Sequence, residues 1–321
     1  MTFPMSRAIQ TFIVEPIRLR RFGLAWYRLS QLLHDRTNGL FDLAYVRIAA
    51  WLRPKVALPK PSGMTDAQIA DTVAQLKNSG FAPLPLRLSL QEIEALRRFA
   101  YETPAHGTDY NGKIVLSAAH IPPGEPRYNW WMHELVRQPV VQRLLTEGPY
   151  CRIAQDYLGC RPTLAHVTLF LDQLHPVTYG PHTYHYDNEG PAFLKFFFYL
   201  TDVDTETGAH HFIRGSHGHS KPKRFARATF YTDDDLLDHY GHDKELVIEG
   251  PAGTVFAEDT AGFHRGSAIE RDHRIVLQFE FSILDVPTEH ELRRPLHPVA
   301  VPGLDPGIAK IADKFFVAKA P

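Results

Sequence analysis

The chain carries only two cysteines, Cys151 and Cys160, in 321 residues. One bridge cannot staple a fold of that size, so both are expected as reduced thiols, and the expected compartment is the cytoplasm. No apolar run reaches the ~20 residues that a membrane-spanning helix requires. The opening residues lack the basic, apolar and small-residue succession of a secretory signal, so neither an integral membrane protein nor a signal peptide is expected. An excess of charge of one sign is missing too. The net charge is −1, which argues against a general nucleic-acid binder. There is no G-x-G-x-x-G, Walker or G-x-S-x-G sequence, no internal repeat and no low-complexity tract. With 44% hydrophobic and 22% charged residues, the composition also excludes disorder, collagen and coiled coil. What the chain does hold in quantity is histidine, 18 residues, and aromatic rings, 20 phenylalanines and 13 tyrosines. The first raises the question of a metal and the second suggests a thick β-rich core.

Charge is distributed unevenly. Residues 1–60 hold ten basic and three acidic side chains, so a cationic leader of net charge +7 precedes an acidic body of −8. From Glu15 to His34, Ile17, Leu24, Trp26, Leu29, Leu32 and Leu33 recur at three- and four-residue steps with arginines between them, the period of an amphipathic helix. Phe41 to Leu52 repeats the pattern until Pro54 stops it. Three readings of residues 1–62 stand: helices packed on the main domain, a basic aromatic foot on an anionic bilayer at the inner face of a membrane, or an oligomer contact.

Beyond the Pro54–Gly63 linker, Thr65 with Gln68 and Ser89 with Glu92 are capping-box starts of two helices. Asn78 to Gly80 closes the first, and Phe81 to Leu84 is extended. After about residue 160 the pattern becomes β: Leu164–Leu174, Phe193–Leu200, Ala209–Ile213, Glu245–Ile248, Gly253–Ala257 and Arg274–Ser282. Phe193–Leu200 is apolar at nearly every position, as a strand buried on both faces is. Many short strands divided by turns predict a sandwich, barrel or jelly roll, mainly β with flanking helices (α+β). The domain expected over residues 63–290 is followed by a C-terminal tail, 291–321. The polar segment Thr232–Lys244 is expected as an exposed loop or lid.

The chemistry concentrates at Tyr184-His185-Tyr186-Asp187. On a strand, His185 and Asp187 point the same way. An imidazole and a carboxylate side by side are two arms of the facial triad that holds ferrous iron and leaves three positions open. A third arm must come from a distant strand, and His264 is the candidate. H-x-D is short enough to arise by chance among 18 histidines, so its context matters. The context is an aromatic strand, an acidic turn, Gly215-Ser216-His217, and then His264 and Arg274.

Residues 184–217, YHYDNEGPAFLKFFFYLTDVDTETGAHHFIRGSH, resemble the core of the phytanoyl-CoA dioxygenase-like family of Fe(II)/2-oxoglutarate-dependent oxygenases. Residues 250–274 resemble its second half and 78–94 its opening, so the likeness spans about 78–285. Arg214 stands where the family has proline, and Gly266 where it often has serine. The resemblance implies a double-stranded β-helix (jelly-roll, cupin-like) core. It also implies Fe(II) held by His185, Asp187 and His264, with 2-oxoglutarate and O2 as co-reactants and succinate and CO2 released. Arg274 would bind the far carboxylate of 2-oxoglutarate through its planar fork, with Arg271 as the alternative. Arg265, beside His264, is expected to point outward. Phe197 would wall that pocket and Thr168 donate a hydroxyl to it. Lys195, on the face of Phe197, reads either as a contact to the cosubstrate or a substrate carboxylate, or as a lysine reaching water. Because Asp187 is a carboxylate, hydroxylation or desaturation is expected rather than halogenation. The expected substrate is a small molecule, a lipid or a lipid-linked compound, anionic if the basic leader reports on it.

Two rival readings keep the barrel: a non-catalytic ligand-binding jelly roll, and a cupin-like metal isomerase or hydrolase using His210 or His211. A zinc cluster of His210, His211, His217 and His219 is a further alternative, and His166 is read as core.

Overall fold

The computed structural model describes residues 22–108, 113–117, 120–175, 180–218, 221–226, 229–284 and 294–319. Helices α1 (Phe22–Thr37) and α2 (Leu40–Leu52) form an N-terminal hairpin, followed by α3 (Asp66–Ser79), strand β1 (Phe81–Arg87) and α4 (Leu90–Glu102). The part of the first periodic stretch before Phe22 lies outside the described residues. Both capping boxes form: Thr65 and Ser89 accept from the backbone N–H of Gln68 and Glu92, whose side chains accept from the cap N–H in return. A short strand, β2 (Arg127–Asn129), precedes α5 (Met132–Leu135), α6 (Pro139–Glu147) and α7 (Tyr150–Leu158).

The long strands come next: β3 (Thr163–Gln173), β4 (Phe193–Tyr199), β5 (His210–Ile213), α8 (Asp233–Tyr240), β6 (Glu245–Ile248), β7 (Thr254–Glu258), β8 (His264–Gly266) and β9 (His273–Ser282). They build two sheets facing each other, a six-stranded one in the order β1-β7-β4-β9-β3-β2 and a three-stranded one in the order β6-β5-β8. From β4 onward the chain crosses between the sheets at β4–β5, β6–β7, β7–β8 and β8–β9, the arrangement of a double-stranded β-helix. The period of two sorts the large sheet. Val167, Leu169 and Leu171, Leu194, Phe196 and Phe198, and Ile275, Leu277, Phe279 and Phe281 lie in the apolar core that includes the helices. There the Tyr150 ring of α7 meets Phe196, Phe198 and Phe279 edge-on at 5.2, 5.1 and 5.7 Å. Alternate residues of the same strands face the barrel interior.

Two segments differ from expectation. The described part of the expected C-terminal tail, residues 294–319, is packed on the domain: β10 (Val299–Val301) and β11 (Phe316–Ala318) pair in parallel around α9 (Pro306–Ile311). Leu304, Ile308, Ile311, Phe315 and Phe316 are buried in the main core. The segment Thr232–Lys244 is mostly helical. Thr232 caps α8, three aspartates occupy its first turn, and Leu236 and Leu237 are buried, so helix dipole and apolar anchors outweigh the polar composition.

Candidate metal centre

Strand pairing sets the interior out in rungs. His166, Glu280, Lys195 and Glu258 lie side by side across β3, β9, β4 and β7, and the next rung is Thr168, Gln278, Phe197 and Phe256. Further along, Asp172 lies opposite Arg274. The segment carrying His185 and Asp187 crosses to the small sheet. His185 and His264 exchange backbone N–H···O bonds of 3.0 and 2.8 Å, and Asp187 N–H donates to Thr260 O at 2.8 Å.

These bonds bring the ligating atoms of His185, Asp187 and His264 within 4.8 Å of one another. The Nε2 atoms of His185 and His264 lie 3.9 and 3.7 Å from the two oxygens of Asp187. Each imidazole is held from behind: Nδ1 of His185 faces Thr183 O at 2.9 Å, and Nδ1 of His264 faces Gly262 O at 3.0 Å. A carbonyl only accepts, so both Nδ1 atoms carry the proton and both Nε2 lone pairs turn to the shared point. Burial, with the His185 charge next, pushes His264 down to about 4, so it is neutral and ready to ligate at neutral pH. Burial alone would raise Asp187, but the nearby positive charge, that of Lys195 first, overcomes it and holds its carboxyl well below the usual range. The trio therefore offers two imidazole Nε2 atoms and a carboxylate, a donor set that fits a divalent transition metal.

Lys195 meets three carboxyl groups of the chain itself. Its ammonium lies 2.8 Å from Asp187, 3.1 Å from Glu189 and 3.6 Å from Glu280, and Glu280 also takes His166 at 3.2 Å. The cation expected to face a cosubstrate is thus engaged within the protein. His166, Glu189 and Glu280 form a second group of potential ligands, with the Lys195 ammonium already between the two carboxylates.

Arg274 is buried further along β9, opposite Asp172. Its guanidinium donates to Gly208 O and, at 2.6 Å, to Asp172, whose two oxygens also take the Arg127 fork at 2.6 and 3.0 Å. Nε of Arg274 is buried without a partner. The lack of a side chain at Gly266 makes room for this guanidinium: a Cβ there would lie 3.0 Å from Nη2. Arg271 is exposed and pairs with Asp204 and Glu206, so it does not enter the barrel. Arg265 pairs with Asp233 at 3.0 Å on the far side of β8. Phe197 stacks on Phe256 at 4.9 Å and meets the His210 ring at 5.1 Å. Thr168 is half-buried on the interior face of β3.

Burial opposes the charge of Asp172, but Arg127 and Arg274 outweigh it and hold the carboxyl at about 2, below its ordinary 3.8. A depressed carboxyl contributes stability that is complete above the unfolded value and lost as pH falls toward the folded one. The Asp172 contribution of about 2 kcal/mol should therefore disappear between pH 4 and 2. Urea midpoints at pH 6 and 3 check this. Asp172→Asn should flatten the acid limb, and equal limbs in the two proteins would refute the assignment.

The other histidines do not converge on one point. His210 faces Glu258 at 2.9 Å, and His211 lies between Glu245 at 2.7 Å and Ser267 at 2.8 Å. His219 lies outside the described residues. Several neighbours of the site escaped the sequence reading: Asp172, Glu258, Glu280, and Tyr27 and Gln31 of α1. Gln31 donates to Asn188 O at 2.8 Å and to the Tyr27 hydroxyl at 2.8 Å. Interior acids on apolar strands were a legible signal for Asp172 and Glu280; nothing local marked the two leader residues.

Fold and site together define a double-stranded β-helix whose interior carries two histidines, a carboxylate and a buried arginine. No protein-family model and no curated protein sequence matches the chain. Among solved structures, the chain is similar to EctD from S. alaskensis, determined with 2-oxoglutarate and 5-hydroxyectoine, at 17% identity and a TM-score of 0.50 over 72% of this chain and 82% of that one. It is also similar to SnoN, a non-heme alpha ketoglutarate dependent epimerase from nogalamycin biosynthesis, at 19% identity and a TM-score of 0.49 over 68% and 84%. At such identities, the EctD likeness speaks for the fold.

Proposed function

We propose that the chain is an Fe(II)/2-oxoglutarate-dependent dioxygenase that hydroxylates an unactivated carbon of a small-molecule, lipid or lipid-linked substrate. One observation carries the reading: two back-braced imidazoles and a carboxylate share a point inside a barrel that also buries an arginine with an unpartnered Nε. His185, Asp187 and His264 would hold the iron, which with 2-oxoglutarate and O2 supplies the oxidant for C–H hydroxylation and yields succinate and CO2. EctD, of like fold, was solved with 2-oxoglutarate, which agrees with this choice of cosubstrate.

The chain's own residues supply geometry and dryness. Thr183 O and Gly262 O fix the two imidazoles, and Lys195 orients Asp187. Arg274, braced by Asp172, would take the far carboxylate of the cosubstrate with the donors left on its fork. Phe197 and Phe256 would shield the cosubstrate from water, and Thr168 in the same rung would offer it a hydroxyl. A carboxylate at 187 favours hydroxylation or desaturation over halogenation. The cupin-like alternative needs His210 or His211 among the ligands, yet both already face glutamates.

The test is anaerobic addition of Fe(II) and 2-oxoglutarate, followed by air. A weak visible chelate band and succinate formation are expected; absence of both would overturn the reading. Arg274→Ala should raise the KM for 2-oxoglutarate about 10–100-fold, the worth of one or two charge-assisted hydrogen bonds. An unchanged KM would remove Arg274 from the cosubstrate site.

A further inference from the structure

The N-terminal hairpin is apolar on the side that faces away from the protein. In α2, Leu40 (64% exposed), Leu43 (41%), Ile48 (56%) and Trp51 (81%) lie on successive turns of one stripe, with Leu52 (62%) at its end. The buried positions of this helix are Asp42 and Ala49. This inverts the usual order, in which a surface helix turns its apolar stripe inward. Trp26 and Leu32 of α1 are exposed as well. Scattered exposed leucines are ordinary, but a contiguous stripe of this kind marks a docking face.

Charge selects the occupant. The leader holds ten basic and three acidic residues within positions 1–60. One of those acids, Asp42, is buried against His34. Arg47 projects from the stripe itself, and Arg28 and Arg36 are exposed on the neighbouring helix. Apolar side chains with a terminal tryptophan, surrounded by arginine, match the acyl boundary and phosphate layer of an anionic bilayer. No helix of the described residues is long and apolar enough to cross a membrane, so the contact lies in the plane of the surface.

The other side of the same hairpin touches the metal centre. Gln31 donates to the carbonyl of Asn188, next to Asp187, and the Tyr27 hydroxyl donates to that carbonyl at 3.4 Å. Asn38, between the helices, donates to Lys221 O at 2.9 Å. Lys221 Nζ in turn donates to Ser216 O at 2.6 Å and Ala261 O at 2.5 Å, linking the hairpin to the segment before His264.

We propose that α1 and α2 form an interfacial foot that seats the chain on an anionic lipid surface through Trp26, Leu40, Leu43, Ile48, Trp51 and Leu52, bringing the metal centre to an amphiphilic substrate held in that surface. The choice of substrate class rests on the oxygenase reading; the docking does not.

The experiment uses the full chain with vesicles of phosphatidylcholine alone and of phosphatidylcholine with phosphatidylglycerol, read by co-sedimentation and tryptophan emission. Trp130 and Trp131 are buried, so a blue shift reports Trp26 and Trp51. Binding and a blue shift are expected with the anionic vesicles only, weakening as salt is raised. Ile48→Glu and Trp51→Glu should each lower partitioning about tenfold or more, the effect of removing one apolar anchor, with urea midpoints unchanged because both positions are exposed. Equal behaviour on the two vesicle types would overturn the proposal. So would a concentration-dependent dimer abolished by the same substitutions without vesicle binding, or no binding to either vesicle type. Neither readout requires iron or turnover, so a failure here and a failure to form succinate are separate results.

Discussion

His264→Ala is expected to lose succinate formation to the assay background, together with the chelate band. Removing a residue that merely orients a metal ligand typically lowers affinity or activity about 10–100-fold, and loss of a ligand should exceed that. His264 also exchanges both backbone bonds with His185, but those bonds involve main chain and survive the substitution. The imidazole, not the fold, is what the variant lacks, so its urea midpoint should stay within the range of a modest cavity substitution. Arg271→Ala, which removes an exposed pair with Asp204 and Glu206, serves as the control and should turn over normally. Substantial turnover by His264→Ala would break the triad assignment.

Lys195→Met is expected to be the most destabilising single change in the barrel. The ammonium lies between Asp187, Glu189 and Glu280, with Glu280 fully buried. Burial works against the charge of Glu280, and His166 and Lys195 keep it ionised; burial, with Glu280 next, pushes Glu189 well above the usual range. Removing the cation leaves buried carboxylates facing each other, which typically costs about 3–5 kcal/mol. Urea unfolding of the metal-free protein measures it, with a fall in midpoint at constant slope. A loss below about 1 kcal/mol, the ordinary worth of an exposed pair, would mean that the carboxylates have other means of neutralisation. A Lys195→Met protein that kept full stability but lost 2-oxoglutarate affinity would return this lysine to the cosubstrate role that the sequence suggested.

The strands and helices were legible because their signals are local. Capping boxes at Thr65 and Ser89 and the apolar run at Phe193 each depend on residues a few positions apart, and they appear where the spacing places them. Where local signals conflict, composition points the wrong way. Thr232–Lys244 looks like a loop by composition, yet Leu236 and Leu237 anchor a helix on the ring cluster of Phe225 and Phe263. Residues 299–316 look like a tail because they follow the last strand of the barrel, yet they complete its outer core.

By itself, the sequence determined that His185 and Asp187 point the same way and that Arg274 stands near the start of an apolar strand. The first follows from the two-residue period of extended chain, the second from the apolar run that follows the arginine. Only the tertiary structure decided what stands opposite them. Asp172 reaches Arg274 across 102 residues, and Glu280 reaches Lys195 across β4 and β9. Tyr27 and Gln31 come to the triad from a leader that lies outside the barrel strands altogether. Strand register and helix docking are set by the packing of whole faces, so partners of this kind carry no mark in their own neighbourhoods.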